Sequence, residues 1–379
     1  MSPQSYLARL TTFGLLFALL AVLFNWLVDP YAIFEVKRLP GFNQNKIDIN
    51  NFTALSKKYQ AQSGTYNALI VGNSRVELGL NPSHQCFTEA GLQPYNVGLP
   101  GAGIRTQLQY ALNIMYQQPI QRVYLSLDFS DFLSRSKQPS TAVVPLMRVE
   151  ENELAYLPSG DTNPAQLGVK AEDYYKSLFS LGSLLSSVVT IAGQGRSGTD
   201  RELSGFNPAR DFADAVRVEG PKALFDQKIY NLEEKFSQTW YLADRNSPFD
   251  QSYADLAAFL TISAAMGVEV VLFTNPFHES YWALLQRHNL MPLYDRWLTD
   301  IEKLARASSA DMGPVPLWNF SEDSIYIHEP VPAKPEKNTP LAWFWEPAHY
   351  REELGNLMVN AMLAEDCSVA HGFGRKVVP

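Results

Sequence analysis

Short apolar segments alternate with helix-like patterns along most of this chain. Five segments have the length and composition of buried strands: 67–72, 95–97, 122–128, 268–273 and 315–320. Between them, Leu108, Ala111, Leu112 and Met115 recur at the spacing of one helix face. A long helical region is also expected at about 279–307. Strands that alternate with helices form a sheet covered on both faces. The sequence therefore predicts an α/β fold, a three-layer sandwich around a mainly parallel sheet of five strands.

A long stretch at about 134–250 interrupts this alternation. It is punctuated by Pro, Ser and Gly, and it contains one clear helical pattern, formed by Tyr174, Leu178, Leu181, Leu185 and Val188. The apolar part of that helix is short and rich in serine, so we do not expect it to span a membrane. The predicted divisions are an anchor at 1–30, a connector at 31–66, a domain at 67–365 that carries this stretch as an insertion, and a tail at 366–379.

The N-terminal segment is strongly apolar. Residues 10–28 carry no charge, and about 20 such residues cross a bilayer as a helix. A cleaved signal peptide is the alternative, but the small-x-small cleavage pattern is absent after the run. Arg9 favours a cytoplasmic N-terminus. Lys37 and Arg38, which follow the apolar segment, weaken that charge asymmetry. We expect a single-pass anchor in the inner (cytoplasmic) membrane, with the following domain in the periplasm or outside the cell.

The composition excludes several classes of protein. A hydrophobic fraction of 46% indicates a folded chain, and a net charge of -8 argues against binding to nucleic acid. The two cysteines, Cys86 and Cys367, form no cluster with His, so the sequence offers no ligand set for zinc, and we expect no metal. An oxidising compartment would allow a disulfide between them, and whether they pair stays open.

The segment Gly72-Asn73-Ser74 follows the first predicted strand. Parallel α/β sheets bind ligands at the carboxyl ends of their strands. A serine in such a turn can expose its hydroxyl and receive support from backbone N–H groups. A helix N-cap serine explains the same position, and this segment alone favours that interpretation.

Two further segments carry side chains or backbone groups suited to catalysis. Glu346 stands three residues before His349, where it could orient an imidazole that accepts a proton from serine. The alternative is a solvated helix start in which Glu346 complements the helix dipole. In Asn96-Val-Gly98-Leu-Pro-Gly101, backbone amides could approach an oxyanion. An ordinary Gly-Pro turn is the simpler interpretation of that segment.

The order of these segments resembles the SGNH (GDSL-type) hydrolases. Ser74 matches the first block of that family, with Gly-Asn-Ser in place of the usual Gly-Asp-Ser. Gly101 matches the oxyanion glycine of the second block. Glu346 and His349 match the last block, which usually reads Asp-x-x-His. The resemblance covers the alternating framework and leaves out the stretch at about 134–250.

This resemblance implies Ser74 as nucleophile, His349 as base and Glu346 as the residue that orients His349. It implies an oxyanion hole formed by the N–H groups of Ser74 and Gly101, an SGNH/flavodoxin-like sheet, and no cofactor. The third oxyanion donor of the family, an Asn, is missing here. Ser130, which follows the third predicted strand, replaces it, or the donor is lost.

By architecture, the chain resembles anchored SGNH-like proteins of envelope polysaccharide and teichoic acid modification, including alginate O-acetylation proteins. That resemblance implies an extracytoplasmic serine esterase or O-acetyltransferase acting on acyl esters of an envelope or exopolysaccharide glycan, with a polysaccharide biosynthesis or export complex as partner. The alternative is a non-catalytic SGNH-fold binding or scaffold protein of such a complex. The candidate substrate-binding residues are Arg75, Asn275 and His278, and a capped turn is the competing interpretation for the last two.

Overall fold

The computed structural model describes residues 2–135, 146, 155–156, 161–196, 198–244, 251–307, 313–334, 336–368 and 372–379. The chain divides into two compact units. Unit 1 contains Met1–Gly64 and Val149–Leu203, and unit 2 contains Thr65–Arg148 and Ser204–Pro379. The predicted insertion is thus shared between both units, and its parts at 136–145, 147–154, 157–160, 197 and 245–250 lie outside the described residues.

The helices and strands are numbered along the chain. The helices are α1 (Pro3–Val28), α2 (Thr53–Ser63), α3 (Ser74–Gly79), α4 (Gln85–Glu89), α5 (Ile104–Met115), α6 (Gln166–Phe179), α7 (Leu181–Ala192), α8 (Arg210–Glu219), α9 (Pro221–Phe236), α10 (Gln251–Ala265), α11 (Glu279–Arg287), α12 (Met291–Ala307) and α13 (Glu352–Met362). The strands are β1 (Ala68–Gly72), β2 (Pro94–Gly98), β3 (Arg122–Leu127), β4 (Leu133–Ser134), β5 (Tyr241–Leu242), β6 (Glu269–Thr274), β7 (Leu317–Asn319), β8 (Phe344–Glu346), β9 (His349–Tyr350) and β10 (Arg375–Val378).

The centre of unit 2 is a mixed six-stranded sheet in the order β10-β7-β6-β3-β1-β2. The five predicted strands are all present and pair in parallel, so the α/β class is confirmed. The predicted strand number was one too low, because β10 adds an antiparallel edge strand. Its sequence, Arg-Lys-Val-Val, has only two buried residues. Strand β10 therefore lacks the apolar run that marks the five predicted strands in the sequence. It lies in the segment at 366–379 that was expected to be a tail.

The carboxyl ends of three neighbouring strands lie at the same level of this sheet. Val71 of β1 is paired with Val97 of β2 and with Leu125 of β3. All residues of β1 and β2 are buried, as expected for strands covered on both faces. Strand β2 pairs with one edge of β1, and β3 pairs with the opposite edge. The strand order therefore reverses direction at β1, and α/β sheets bind ligands at such a switch point.

Two glycines allow close packing at this edge. A Cβ on Gly72 would stand 2.5 Å from Val76 Cγ2, and one on Gly98 would stand 2.5 Å from the backbone nitrogen of Glu77. The backbone of Glu77 cannot move away from a Cβ on Gly98 as a side chain could by changing its rotamer. Gly98 therefore lets α3 lie directly against the end of β2.

The two cysteines of the chain are joined by a disulfide. Cys86 lies in α4 and Cys367 follows α13, with 4.9 Å between their Cα atoms and 281 positions between them in sequence. The pairing that the sequence left open is thus present, and it ties the C-terminal segment to the start of unit 2.

Two predicted helices are each divided in the structure. The helix expected around Tyr174 to Val188 is the pair α6 and α7, which is bent by 59°. The helical region expected at about 279–307 is divided into α11 and α12, with Asn289 between them in the left-handed conformation, φ 56°. In both cases the apolar spacing runs through the break, so periodicity alone gave no sign of it.

Helix α1 is long and apolar enough to cross a membrane, and none of its apolar window is buried. A membrane anchor and a signal sequence share these properties. Within unit 1 the helix ends at Val28, and the next residue, Asp29, is left-handed with φ 47°.

Candidate active site

Ser74 lies where β1 ends and α3 begins. Asn73 is the N-cap of α3, and its side chain accepts a hydrogen bond from the N–H of Arg75 at 3.0 Å. The cap residue is therefore Asn73 and not Ser74, which removes the N-cap explanation for Ser74. Ser74 is partly exposed while Asn73 and Arg75 on either side are buried. Its hydroxyl therefore has no capping role.

The Ser74 hydroxyl contacts His349. Ser74 Oγ and His349 Nε2 are 2.7 Å apart, although the two residues are separated by 275 positions in sequence. His349 begins β9, the second strand of a short hairpin with β8. The structure therefore contains the serine–histidine contact that the sequence predicts.

Glu346 holds the other side of the imidazole. Its Oε1 is hydrogen-bonded to His349 Nδ1, and its Oε2 accepts the N–H of Ala348 at 3.0 Å. Glu346 is buried, and α13 begins only at Glu352. The competing interpretation, a solvated helix start, is therefore wrong for this carboxylate. Ser74, His349 and Glu346 form one hydrogen-bonded chain with the geometry of a catalytic triad.

Burial and neighbouring charges determine the protonation states of Glu346 and His349. Burial by itself raises the pKa of Glu346, but His349, Lys228 and the N–H of Ala348 outweigh it and hold that pKa at about 2. Burial lowers the pKa of His349 below its ordinary value of 6.5, against the opposing effect of Glu346. At neutral pH the site therefore holds an ionised Glu346 and a neutral His349, which is the form of histidine that can accept a proton.

Arg75 connects the two loops of the site. Its guanidinium forms an ion pair with Asp128, at the end of β3, and its Nε donates to the carbonyl of Ala348 at 2.8 Å. Asp128 also accepts a hydrogen bond from Asn73 Nδ2 at 2.7 Å. Arg75 was predicted to bind substrate, but it is 8% exposed and holds the loop that carries His349. These contacts indicate a positioning role.

The other two predicted substrate-binding residues are engaged inside the fold. Asn275 donates to Ser126 Oγ at 2.7 Å and accepts from the Tyr350 hydroxyl at 3.2 Å. His278 caps α11 through the N–H of Ser280, and its Nε2 lies 2.8 Å from the carbonyl of Glu329. The capped-turn interpretation therefore fits this loop, with His278 as the cap.

The two predicted oxyanion donors differ in their surroundings. Gly101 follows β2 by three residues and has φ 71°, with no atom within 4 Å of the place where a Cβ would stand. The side of Gly101 on which a side chain would stand is thus open. The N–H of Ser130 donates to Asp128 Oδ1 at 3.0 Å, so it does not face an oxyanion. If Ser130 is an oxyanion donor, it must therefore donate from its side-chain hydroxyl.

Three residues of the site were missed by reasoning from sequence. Asn73 and Asp128 are joined across β1 and β3, and their only signal was their place at two strand ends. Lys228, in α9, brings its Nζ to 3.5 Å from Glu346 Oε1. It lies in the predicted insertion, where no motif marked it.

No family model matches the chain, and no curated protein matches it. Among the residues that the structure describes, no group of three or more His, Cys, Asp and Glu side chains is placed to hold a metal ion.

Proposed function

We propose that this protein is a membrane-anchored, extracytoplasmic serine esterase or O-acetyltransferase of the SGNH type. The observation that carries the proposal is the hydrogen-bonded chain from the Ser74 hydroxyl through His349 to the buried Glu346. The parallel strands have the order β2-β1-β3-β6-β7, which is the flavodoxin-like order, and Ser74 follows β1 at the switch point. The match of Ser74, Gly101, Glu346 and His349 to the SGNH blocks supports the same family.

The proposed reaction is acyl transfer through a covalent intermediate. Ser74 Oγ attacks the carbonyl carbon of an acyl ester while His349 Nε2 takes the hydroxyl proton. Glu346 stabilises the imidazolium, and the N–H groups of Ser74 and Gly101 receive the negative charge on the carbonyl oxygen. His349 then gives its proton to the departing alcohol, which leaves an acyl-Ser74. Water completes an esterase cycle, and a sugar hydroxyl completes an acetyltransferase cycle.

The proposed substrate is an O-acetyl or other small acyl ester on an envelope or exopolysaccharide glycan, and the proposed partner is a complex of polysaccharide biosynthesis or export. Both come from the resemblance to anchored SGNH-like proteins. The apolar helix α1 supports anchoring in the inner membrane, with the site on the extracytoplasmic side.

A fluorophosphonate probe tests the nucleophile. We expect the purified full-length protein to be labelled and to hydrolyse p-nitrophenyl acetate, and Ser74→Ala to lose both activities. His349→Ala should lose nearly as much, because triad members act as a unit. Ser83→Ala, a change at an exposed serine outside the site, is the matched control and should be labelled like the wild type.

A non-catalytic scaffold is the second candidate function. It is favoured by the contact of the Ser130 N–H with Asp128, since this leaves the site with fewer oxyanion donors than the family usually has. A correctly folded wild-type protein that neither reacts with the probe nor releases p-nitrophenol would support the scaffold and overturn the enzyme.

A further inference from the structure

Helix α7 has its polar and apolar faces reversed. Its buried residues are all hydroxyl-bearing, at most 4% exposed, and follow helical spacing: Ser183, Ser186, Ser187 and Thr190. The apolar residues Leu181, Leu185 and Val188 face outward and are 50–81% exposed. A surface helix in water buries its apolar stripe and exposes its polar one. The arrangement of α7 therefore suits surroundings that are less polar than water.

The bend between α6 and α7 continues this apolar surface. Phe179 is exposed on the α6 side of the bend, and residues 177–195 carry no charge. Backbone groups freed by the bend are paired inside unit 1. Ser183 Oγ donates to the carbonyl of Lys176 at 2.9 Å, and Ser180 Oγ accepts the N–H of Ser183 at 3.0 Å. Such pairing is what a helix break needs at membrane depth, where water cannot satisfy backbone groups.

The same bend is joined to α1 through Asn25. This buried residue of α1 donates to the carbonyl of Leu178 at 2.8 Å and accepts from Ser187 Oγ at 2.9 Å. Interfaces of small and polar residues are typical of helices that pack within a membrane. Asn25 lies three residues before the end of α1, roughly 4.5 Å along its axis. The bend thus reaches back along the final turns of α1.

The middle of α6 and the turn that follows α7 contact the segment that follows α1. Gln194 donates to the carbonyl of Asn45 at 2.8 Å, and Asp173 of α6 accepts from the Tyr59 hydroxyl at 2.8 Å. Helix α6 therefore runs from the segment that follows α1 to the level of Asn25, and α7 runs back to that segment. This is the course of a hairpin that enters a leaflet without crossing it.

We propose that the bend and α7 form a re-entrant wedge, inserted among lipid acyl chains beside the outer end of α1. The inference rests on the proposed membrane anchoring by α1, and it is independent of the chemistry at Ser74. Lipid is the occupant that fits, because α7 packs against α1, a helix whose apolar window is entirely unburied. The ion pair of Glu172 with Lys176 on α6 limits the depth, since lysine near a membrane surface extends toward the headgroups.

Lipid quenching of a single fluorophore tests the wedge in the full-length protein. Since both native cysteines are in the disulfide, an added cysteine is the only free thiol. Leu185→Cys and Val188→Cys, labelled with NBD and reconstituted in phosphatidylethanolamine–phosphatidylglycerol vesicles, should be quenched by doxyl groups on the acyl chains and protected from aqueous iodide. Leu19→Cys in α1 is the positive control. Ile325→Cys, a highly exposed apolar position of unit 2, is the negative control and should show the reverse.

Three outcomes would overturn the proposal. Iodide quenching at positions 185 and 188, with lipid quenching at 19, would place the pair in water. Oxidative cross-linking of Leu185→Cys into a dimer without lipid quenching would replace lipid by a second copy of the chain. Absence of lipid quenching at position 19 would remove the anchor and the wedge together. In each case fluorophosphonate labelling of Ser74 reports separately on the proposed enzyme.

Discussion

At the scale of single residues, the charges around His349 decide at which pH the site can act. Burial lowers the pKa of His349 and Glu346 raises it, while Lys228 and Arg75 lower it further. The result lies below the ordinary value of 6.5, and only neutral His349 can accept the proton of Ser74. The rate of esterase turnover should therefore fall as the pH drops through the lowered pKa of His349.

We expect two substitutions to shift this acidic limb of the pH–rate profile in opposite directions. Glu346→Gln removes a negative charge, so the pKa of His349 falls and the limb moves to lower pH. The maximal rate should also fall, by roughly 10²–10⁴-fold, because the imidazole is no longer held in one tautomer. Lys228→Met removes a positive charge, so the limb should move to higher pH. Profiles of kcat/KM for p-nitrophenyl acetate measure both shifts.

Asp131 provides the control for this assignment. It is another carboxyl group near Arg75, half-buried, and its partial burial raises its pKa to about 6, within the same pH range. If Asp131→Asn removes the acidic limb while Glu346→Gln leaves it in place, the limb belongs to Asp131, and the assignment to His349 is wrong.

At the scale of elements, α3 depends on its contact with the end of β2. Asn96 of β2 donates from Nδ2 to the carbonyls of Val76 and Leu80, at 2.9 and 2.8 Å. The carbonyl of Val76 also accepts the N–H of Leu80 at 3.1 Å, and Leu80 is the residue that follows the end of α3. Gly98 lies beside the backbone of Glu77. The segment that resembles an oxyanion block therefore also holds the helix that begins with Ser74.

We expect Gly98→Ala to destabilise the protein by about 1–3 kcal/mol, the usual effect of overpacking, and to weaken fluorophosphonate labelling by displacing α3. Gly103→Ala is the matched control: its φ is -74° and the space around it is open. Urea unfolding of the detergent-solubilised protein gives both values. Equal stability of the two variants would show that the contact of Gly98 with α3 is unimportant.

At the scale of the whole molecule, the disulfide reports on the compartment. It joins positions 281 apart in sequence, and closing so long a loop stabilises the folded state by roughly 5 kcal/mol in the chain-entropy model. Such bonds persist in oxidising compartments and are rare in the cytoplasm. The proposed extracytoplasmic location therefore predicts that the bond is formed in cells.

Alkylation of the full-length protein in cell membranes tests this prediction. Cys86 and Cys367 should react with a maleimide–polyethylene glycol only after reduction, which appears as a mobility shift on a denaturing gel. Cys86→Ser combined with Cys367→Ser should lower the unfolding midpoint and leave the site assembled. Free thiols before reduction would argue for a cytoplasmic location.

Much of the framework was predictable from local pattern. The five parallel strands are buried on both faces, and such strands are continuous apolar runs that a sequence displays directly. The site was predictable because the order of Ser74 and Glu346-x-x-His349 resembles the blocks of a known family, and each stands at a loop where this kind of fold gathers functional groups. Edge strand β10 and the breaks at Ser180 and Asn289 were not predictable, because their apolar spacing is weak or continues through the break.

By itself, the sequence determined the α/β class, the long apolar helix at the N-terminus and the residues able to form a triad, since each depends on chemistry within one short segment. Tertiary structure alone decided that Arg75 binds Asp128 and Ala348, that Lys228 approaches Glu346, and that α7 turns its serines inward. These depend on which segments meet across large separations in sequence. The identity of a polar residue does not show whether its side chain will face substrate, another buried group or solvent. Only its neighbours in space distinguish these roles.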